Sequence, residues 1–466
     1  MTMSGGVDCV GFELDEKYSI LYASDWKKSE EKRVSCVGDI QLYDYQQDIL
    51  DNTRGFNRVA YYLDMGLGKT FIGSEKMHKL GTKINLLICQ KTKIDDWLEH
   101  FRKYKVTIRN LTDKTHFDDF MLCNKLFNEH PTEHRGILYI GIINYDLVFR
   151  RPQLKELRNY TLMLDESSKI QNETNKRSKF VLKMMPDNVI LLSGTPTAGK
   201  YEKLWSQVRL LGWNISKDLY WKQYIETEWV EEDSGFFRKD VVGYKNVDRL
   251  KRKLAQHGAV FLKSDEVVDL PDQVFTKIKV PTTKEYRKFM KSRIVKIDGR
   301  ELVGDNTLTK RLYARMICGQ FNQKKLDAFK DLVDSTDDRV VVFYNFSDEL
   351  TAMLSLVDDR PVSIINGSTK DLTAYEDDGD SITFIQYQAG AMGLNLQKAN
   401  KVIYFTLPES SELYEQSKKR VHRIGQDKRC FYYLMMCKDS VEEDILQNLE
   451  MRKDYTDELF KAYDEG

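Results

Sequence analysis

Apolar residues along the chain gather into short continuous runs separated by mixed, helix-compatible stretches, and the runs form two series. The first is RVAYYL (58–63), INLLIC (84–89), ILYIGI (137–142), YTLMLD (160–165) and VILLSG (189–194); the second is RVVVFY (339–344), VSIIN (362–366), ITFIQ (382–386), KVIYF (401–405) and CFYYLMM (430–436). A strand covered on one face alternates apolar with polar residues. These runs do not alternate, so each is predicted to be a strand buried on both faces, as in a parallel sheet layered between helices. Two α/β lobes follow. The pattern divides the chain into an N-terminal extension (1–38), a first lobe (39–212), a helical insertion (213–335) and a second lobe (336–466). The insertion lacks the strand–helix alternation and carries Trp213, Trp221 and Trp229, which continue an eight-residue spacing from Trp205 and read as core anchors of helices. The tail from residue 439 repeats apolar residues at Val441, Ile445 and Leu449, predicting an amphipathic helix packed on the second lobe.

Composition narrows the class more than it points to a function. At 466 residues the chain is long enough for several cores, and its 41% hydrophobic and 31% charged residues are those of a globular protein. No apolar run approaches the ~18 to 20 residues of a bilayer span, so no membrane role is expected. Seven scattered cysteines without a C-x-x-C pair give no zinc or disulfide framework, and Cys89 and Cys437 read as small buried hydrophobes. The N-terminus has neither a cationic start nor an apolar core segment, so an intracellular setting is expected.

Candidate chemistry sits at the ends of two predicted strands. After the first strand stands Asp64-Met65-Gly66-Leu67-Gly68-Lys69-Thr70, followed by a helix that Gly81 could cap. Gly66 and Gly68 let backbone N–H groups converge on phosphate oxygens, Lys69 supplies a point charge to them, and the Thr70 hydroxyl can ligand Mg²⁺. Leu63 replaces the first glycine of the usual G-x-x-x-x-G-K-[ST] pattern. Ninety-six residues beyond Lys69, the run YTLML ends in Asp165-Glu166. A carboxylate pair at the carboxyl end of a parallel strand lies where such sheets bind ligands. Asp165 would hold Mg²⁺, and Glu166 would orient and deprotonate an attacking water.

With these two elements in place the chain resembles superfamily 2 helicases, and within them the Swi/Snf-type ATP-dependent DNA translocases. The likeness runs in order from residue 42 to about 450. It implies two RecA-like lobes, ATP and Mg²⁺ as cofactors, and DNA, duplex by preference, as partner. LYDYQ (42–46) is similar to the family's adenine-reading element, making Gln46 the base-contacting residue. LLICQKTKIDDWLEHF implies backbone contacts to nucleic acid from Lys91 and Thr92, and IINYDLV implies one from Asn144. LLSGTPTAGKYEKLW resembles the coupling motif, with Ser193, Gly194 and Thr195 linking nucleotide state to DNA. In the second lobe VVVFYNFSDEL and INGSTKD imply contacts from Asn345, Ser368 and Thr369, and QAGAMGLN places Gly393 near the nucleotide. EQSKKRVHRIGQ is the most specific string. It implies that Gln416, Arg420 and Arg423 face the nucleotide from the second lobe, with Arg423 the expected arginine finger and Arg420 its partner.

Three departures stand out: Ser168 where the acidic motif usually ends in His, Gln388 where Arg is common, and Gln90 where Pro is usual. The compact layout and the DESS string resemble members encoded by bacteriophages. Charge sharpens the expectation. The chain balances 72 Lys and Arg against 72 Asp and Glu, yet residues 284–330 hold 13 bases against five acids, while 331–380 hold 13 acids against three bases. The basic block, with Lys288 and Lys291, is expected to border a nucleic-acid groove at the lobe junction. The sequence therefore predicts ATP hydrolysis coupled to movement along DNA. A strand-separating DNA or RNA helicase and a nucleic-acid-binding scaffold with an uncoupled ATPase are its rivals.

Overall fold

The computed structural model describes residues 34–35, 41–130, 138–231, 237–357, 359–390 and 394–460. All but two residues of the N-terminal extension lie outside them. Strands β1 (Val34–Ser35) and β2 (Gln41–Leu42) form a short antiparallel pair ahead of the first lobe.

The first lobe is built on a parallel sheet of β3 (Arg58–Leu63), β4 (Ile84–Cys89), β5 (Thr107–Asn110), β6 (Tyr139–Asn144), β7 (Tyr160–Asp165), β8 (Asn188–Ser193) and, after a projecting antiparallel hairpin of β9 (Ile225–Glu231) and β10 (Phe237–Tyr244), β11 (Ala259–Leu262). Their order across the sheet is β11-β3-β8-β7-β4-β6-β5. The second lobe takes β12 (Gln273–Val280), a small hairpin of β13 (Ile294–Ile297) and β14 (Arg300–Val303), then β15 (Val340–Tyr344), β16 (Val362–Ile365), β17 (Ile382–Gln386), β18 (Lys401–Tyr404) and β19 (Cys430–Cys437). Its parallel sheet runs β12-β19-β18-β15-β17-β16. The interior strands β4 and β15 are buried at every residue, as continuous apolar runs require. Cys89 and Cys437 are buried, free thiols.

Three expectations are corrected here. The stretch 213–335 carries helices but is not helical alone: β11 completes the first sheet against β3, and β12 completes the second against β19. Both are sheet edges, and β12 alternates polar and apolar residues because only one of its faces is covered. Trp205, Trp213 and Trp221 do pack on the first-lobe core, but Trp229 on the projecting hairpin is 69% exposed. The terminal helix, Val441–Phe460, does not stay on the second lobe. Val441, Ile445, Leu446 and Leu449 join the second-lobe core, whereas Leu459 and Phe460 are buried in that of the first, Phe460 edge-on to Phe261.

Candidate functional site

The site lies where the carboxyl ends of β3, β7 and β8 face the helix Ser411–Val421 of the second lobe. After β3 the chain turns through Gly66 and Gly68 at φ +87° and +72°, left-handed values that open directly into the helix Lys69–Leu80. That helix ends on Gly81 at φ +66°, whose N–H bonds the His78 carbonyl. Lys69 folds back so that its Nζ donates to the carbonyls of Leu63 (2.9 Å) and Asp64 (3.1 Å). Burial pulls its pKa down, opposed chiefly by Glu166, Asp64 and Asp165. Gln46 is buried beside this loop, donating through Nε2 to the Leu67 carbonyl at 3.2 Å.

β7 delivers the acidic pair. Asp165 is half-buried at the end of the strand, accepts a hydrogen bond from Trp97 Nε1 at 2.8 Å, and has its pKa raised chiefly by the loss of water around its carboxyl. Glu166 takes φ +56°, an unfavourable conformation for a side chain of its size that the packing around it must enforce. Its Oε1 accepts hydroxyl hydrogens from Ser193 (2.6 Å) and Ser168 (3.0 Å). The serine at the position where the family carries His thus touches the expected base, and Ser193 ties the coupling segment to it. Gly194 lies against Lys69, where a Cβ would stand 3.3 Å from Nζ, and Thr195 donates its N–H to Ser193 Oγ at 3.2 Å.

From the second lobe, Glu412, Gln416 and Arg420 recur at four-residue spacing along the Ser411–Val421 helix and so share one face. Gln416 is buried and donates to Glu412 at 3.3 Å. Burial and the neighbouring Arg423 pull Arg420 down to about 10, against the attraction of Glu166. Arg423 donates through Nη1 to Asn395. The Nε atoms of both arginines and Thr195 Oγ1 are buried without a partner among the described residues. Unpaired cationic donors and a lysine facing two carboxylates fit a polyphosphate with a divalent cation. Gly393 lies outside the described residues.

Ion pairs join the lobes at this cleft. Lys169 meets Glu412 at 2.9 Å, and Lys419 meets Asp64 at 2.7 Å. Burial raises the Asp64 carboxyl, but the charge and hydrogen bond of Lys419, with help from Ser264 and the Met65 N–H, bring it down to about 2.

The residues expected to touch nucleic acid are less uniform. Lys91, Thr92, Ser368 and Thr369 are exposed, the last two in a turn organised by Asn366. Asn144 is buried and caps the following helical turn by accepting the Leu147 N–H at 3.0 Å. Asn345 donates inward to Thr406 and Leu407. Lys288 and Lys291 are exposed on the helix Lys284–Ser292, which Tyr286 and Phe289 anchor in the second-lobe core, while Arg311 of the same block lines a pocket shared with Thr197 and Lys200 of the first lobe. Two of the block's cations are interior: Lys325 is paired with Glu442 at 2.6 Å, and Arg315 donates to the Leu407 carbonyl. Trp97 and Ser264 carried no signal in the sequence; the first is found only once β4 is known to lie beside β7, the second only once the lobes are docked.

Paired parallel-sheet lobes with a phosphate loop and acidic pair on one and two arginines on the other define the ATPase core of superfamily 2. The chain belongs to the SNF2-related family: residues 63–327 match the SNF2-related domain, and residues 324–425 match the helicase conserved C-terminal domain. It is 23% identical over 434 residues to the ISWI chromatin-remodeling complex ATPase ISW2 of Saccharomyces cerevisiae, covering 82% of this chain and 37% of that protein. An uncharacterized ATP-dependent helicase of Mycoplasma genitalium is 21% identical over 417 residues, covering 82% of this chain and 38% of its own. The chain thus spans about two fifths of the length of the curated relatives it matches. Among solved structures it is similar to the Sulfolobus solfataricus SWI2/SNF2 ATPase core in complex with dsDNA, with TM-score 0.42, 19% identity, and coverage of 93% of this chain and 95% of that one. No described helix is long and apolar enough to cross a membrane.

Proposed function

We propose that this protein hydrolyses ATP when bound to DNA and uses the cycle to translocate along the duplex without reading its sequence. The observation that carries the reading is the convergence of Lys69, Glu166 and Arg420 on one cleft whose walls belong to different lobes. ATP would lie on the Gly66–Thr70 loop, its β- and γ-phosphates toward Lys69 and its base toward Gln46. Thr70 and Asp165 would hold Mg²⁺, which when bound neutralises phosphate charge. Glu166 orients a water and takes its proton, with Ser193 and Ser168 fixing the carboxylate that does so. Arg420 and Arg423, always charged, stabilise negative charge on the γ-phosphoryl, a contribution of ~10³ to 10⁵ in rate for arginine fingers.

Because the arginines belong to the second lobe, turnover depends on the lobes meeting, and the grip on DNA alternates with it. Lys91, Thr92 and Asn144 would contact the backbone from the first lobe; Asn345, Ser368, Thr369, Lys288 and Lys291 would do so from the second. Phosphate contacts supply affinity without sequence preference, which a translocase requires.

The test is ATP turnover with duplex DNA, single-stranded DNA and RNA side by side. Duplex should stimulate most, and Lys69→Ala and Glu166→Gln should each lower stimulated turnover by about a hundredfold or more. Displacement of a triplex strand without opening of a fork is expected; fork opening without triplex displacement would replace translocation with strand separation. Turnover unchanged by both substitutions would sink the site assignment.

A further inference from the structure

We propose that Asp64, Lys419 and Ser264 form a positioning node that sets the two arginines of the second lobe against the nucleotide loop of the first, so that breaking it slows turnover without weakening ATP binding. The inference rests on the site reading above and adds three residues that touch no substrate atom.

The geometry makes Asp64 a junction. Its Oδ1 accepts the Met65 N–H at 2.8 Å, fixing the first turn of the nucleotide loop. Its Oδ2 accepts the Ser264 hydroxyl at 2.7 Å and pairs with Lys419 at 2.7 Å. Lys419 also donates to Ser264 Oγ at 2.9 Å, which closes a three-membered ring of contacts. The backbone carbonyl of Asp64 accepts from Lys69 Nζ at 3.1 Å. One residue therefore holds the loop lysine through its main chain and the second lobe through its side chain.

Each partner comes from a different part of the fold. Ser264 opens the segment between β11, the edge of the first sheet, and β12, the edge of the second. That segment joins the lobes covalently. Lys419 immediately precedes Arg420, and neighbours on a helix point about 100° apart. The helix thus turns Lys419 to Asp64 while Arg420 enters the field of Glu166. Both partners of the pair are largely buried, with side chains 17% and 20% exposed, so water and salt screen it weakly. Another lobe-to-lobe pair, Lys169 with Glu412, seats the start of the same helix. A helix fixed near both ends holds its arginines in a defined register.

A misplacement of about 1 Å in such an arrangement costs on the order of 10² in rate. Lys419→Met keeps the stem and removes the charge; Asp64→Asn keeps the shape and removes the anion. Each is expected to lower kcat by ~10- to 100-fold with KM for ATP within about twofold, the mark of an interaction that acts in the transition state alone. The double variant should be no slower than either single one, Lys419→Arg should recover most of the rate, and thermal melting should show every variant folded. Lys69→Ala and Arg420→Ala run alongside. If these two abolish turnover while Lys419→Met keeps its kcat, or raises KM at unchanged kcat, the positioning role is wrong and the site reading stands. If Lys69→Ala and Arg420→Ala leave turnover intact, both fall together.

Discussion

Glu349 is a carboxylate the fold has taken wholly out of water. Its Oε2 accepts the N–H groups of Asn345 (2.9 Å) and Phe346 (3.1 Å) and the Thr406 hydroxyl (2.9 Å), while Oε1 is buried without a partner among the described residues. Burial outweighs these donors and the field of Lys325, pushing the carboxyl from 4.5 up to about 7. The folded chain therefore holds this proton more tightly than the unfolded chain does. The stability it contributes is fully present below pH 4.5 and is lost as pH rises through 7, an effect of ~3 kcal/mol. Glu349→Gln, which keeps an acceptor for the same N–H groups, should melt several degrees above the parent at pH 8 and with it at pH 5; an equal gap at both would refute the assignment. Residues of this kind are where the sequence is silent. That Lys69 would meet Asp165 and Glu166 was readable, because the glycine loop and the acidic pair both stand at the carboxyl ends of strands. The Trp97 bond to Asp165 and the Ser193 bond to Glu166 were not, since both depend on which strands lie side by side.

Among elements, the strands read most clearly were those buried on both faces, whose apolar runs have no other use. β7 and β17 span the residues the pattern indicated, while β11 and β12 were missed. β11 lies in a stretch without the regular strand–helix alternation that marked the others, and β12, covered on one side, looks like any surface strand. The terminal helix was readable as a helix, but its second contact was not, because beside Leu459 and Phe460 that contact depends on a close approach of backbone to backbone. Gly199, at φ +70°, packs so closely on the helix that a Cβ would stand 2.2 Å from the Arg452 carbonyl oxygen. Arg452 Nη1 donates to the Gly199 carbonyl at 3.2 Å, and the Tyr201 hydroxyl donates to the Tyr455 carbonyl at 2.7 Å. Gly199→Ala meets the clash together with a left-handed backbone costing about 1 kcal/mol or more. It should lower the melting temperature and open the chain beyond residue 448 to protease; unchanged melting and cleavage would show that the helix does not sit there.

For the whole molecule, a net charge of zero says little about where polyanions bind. Part of the basic block is spent inside the second lobe on Lys325 and Arg315, and part on surface pairs such as Arg300 with Asp348 and Arg311 with Glu409. Lys288 and Lys291 remain exposed. If they grip a DNA backbone, Lys288→Glu with Lys291→Glu should flatten the dependence of log affinity on log salt by ~0.9 for each phosphate that is no longer neutralised. An unchanged slope would move the groove elsewhere. The shared terminal helix also bears on how the molecule is made. Leu459 and Phe460 belong to the first-lobe core, yet they are synthesised about 200 residues after β11 closes that lobe's sheet. At ~5 to 20 residues per second, the first lobe waits roughly 10 to 40 s with an open apolar socket beside Phe261. The nascent first lobe thus keeps that apolar surface uncovered until the end of the second lobe has been made, although its nucleotide loop is complete long before.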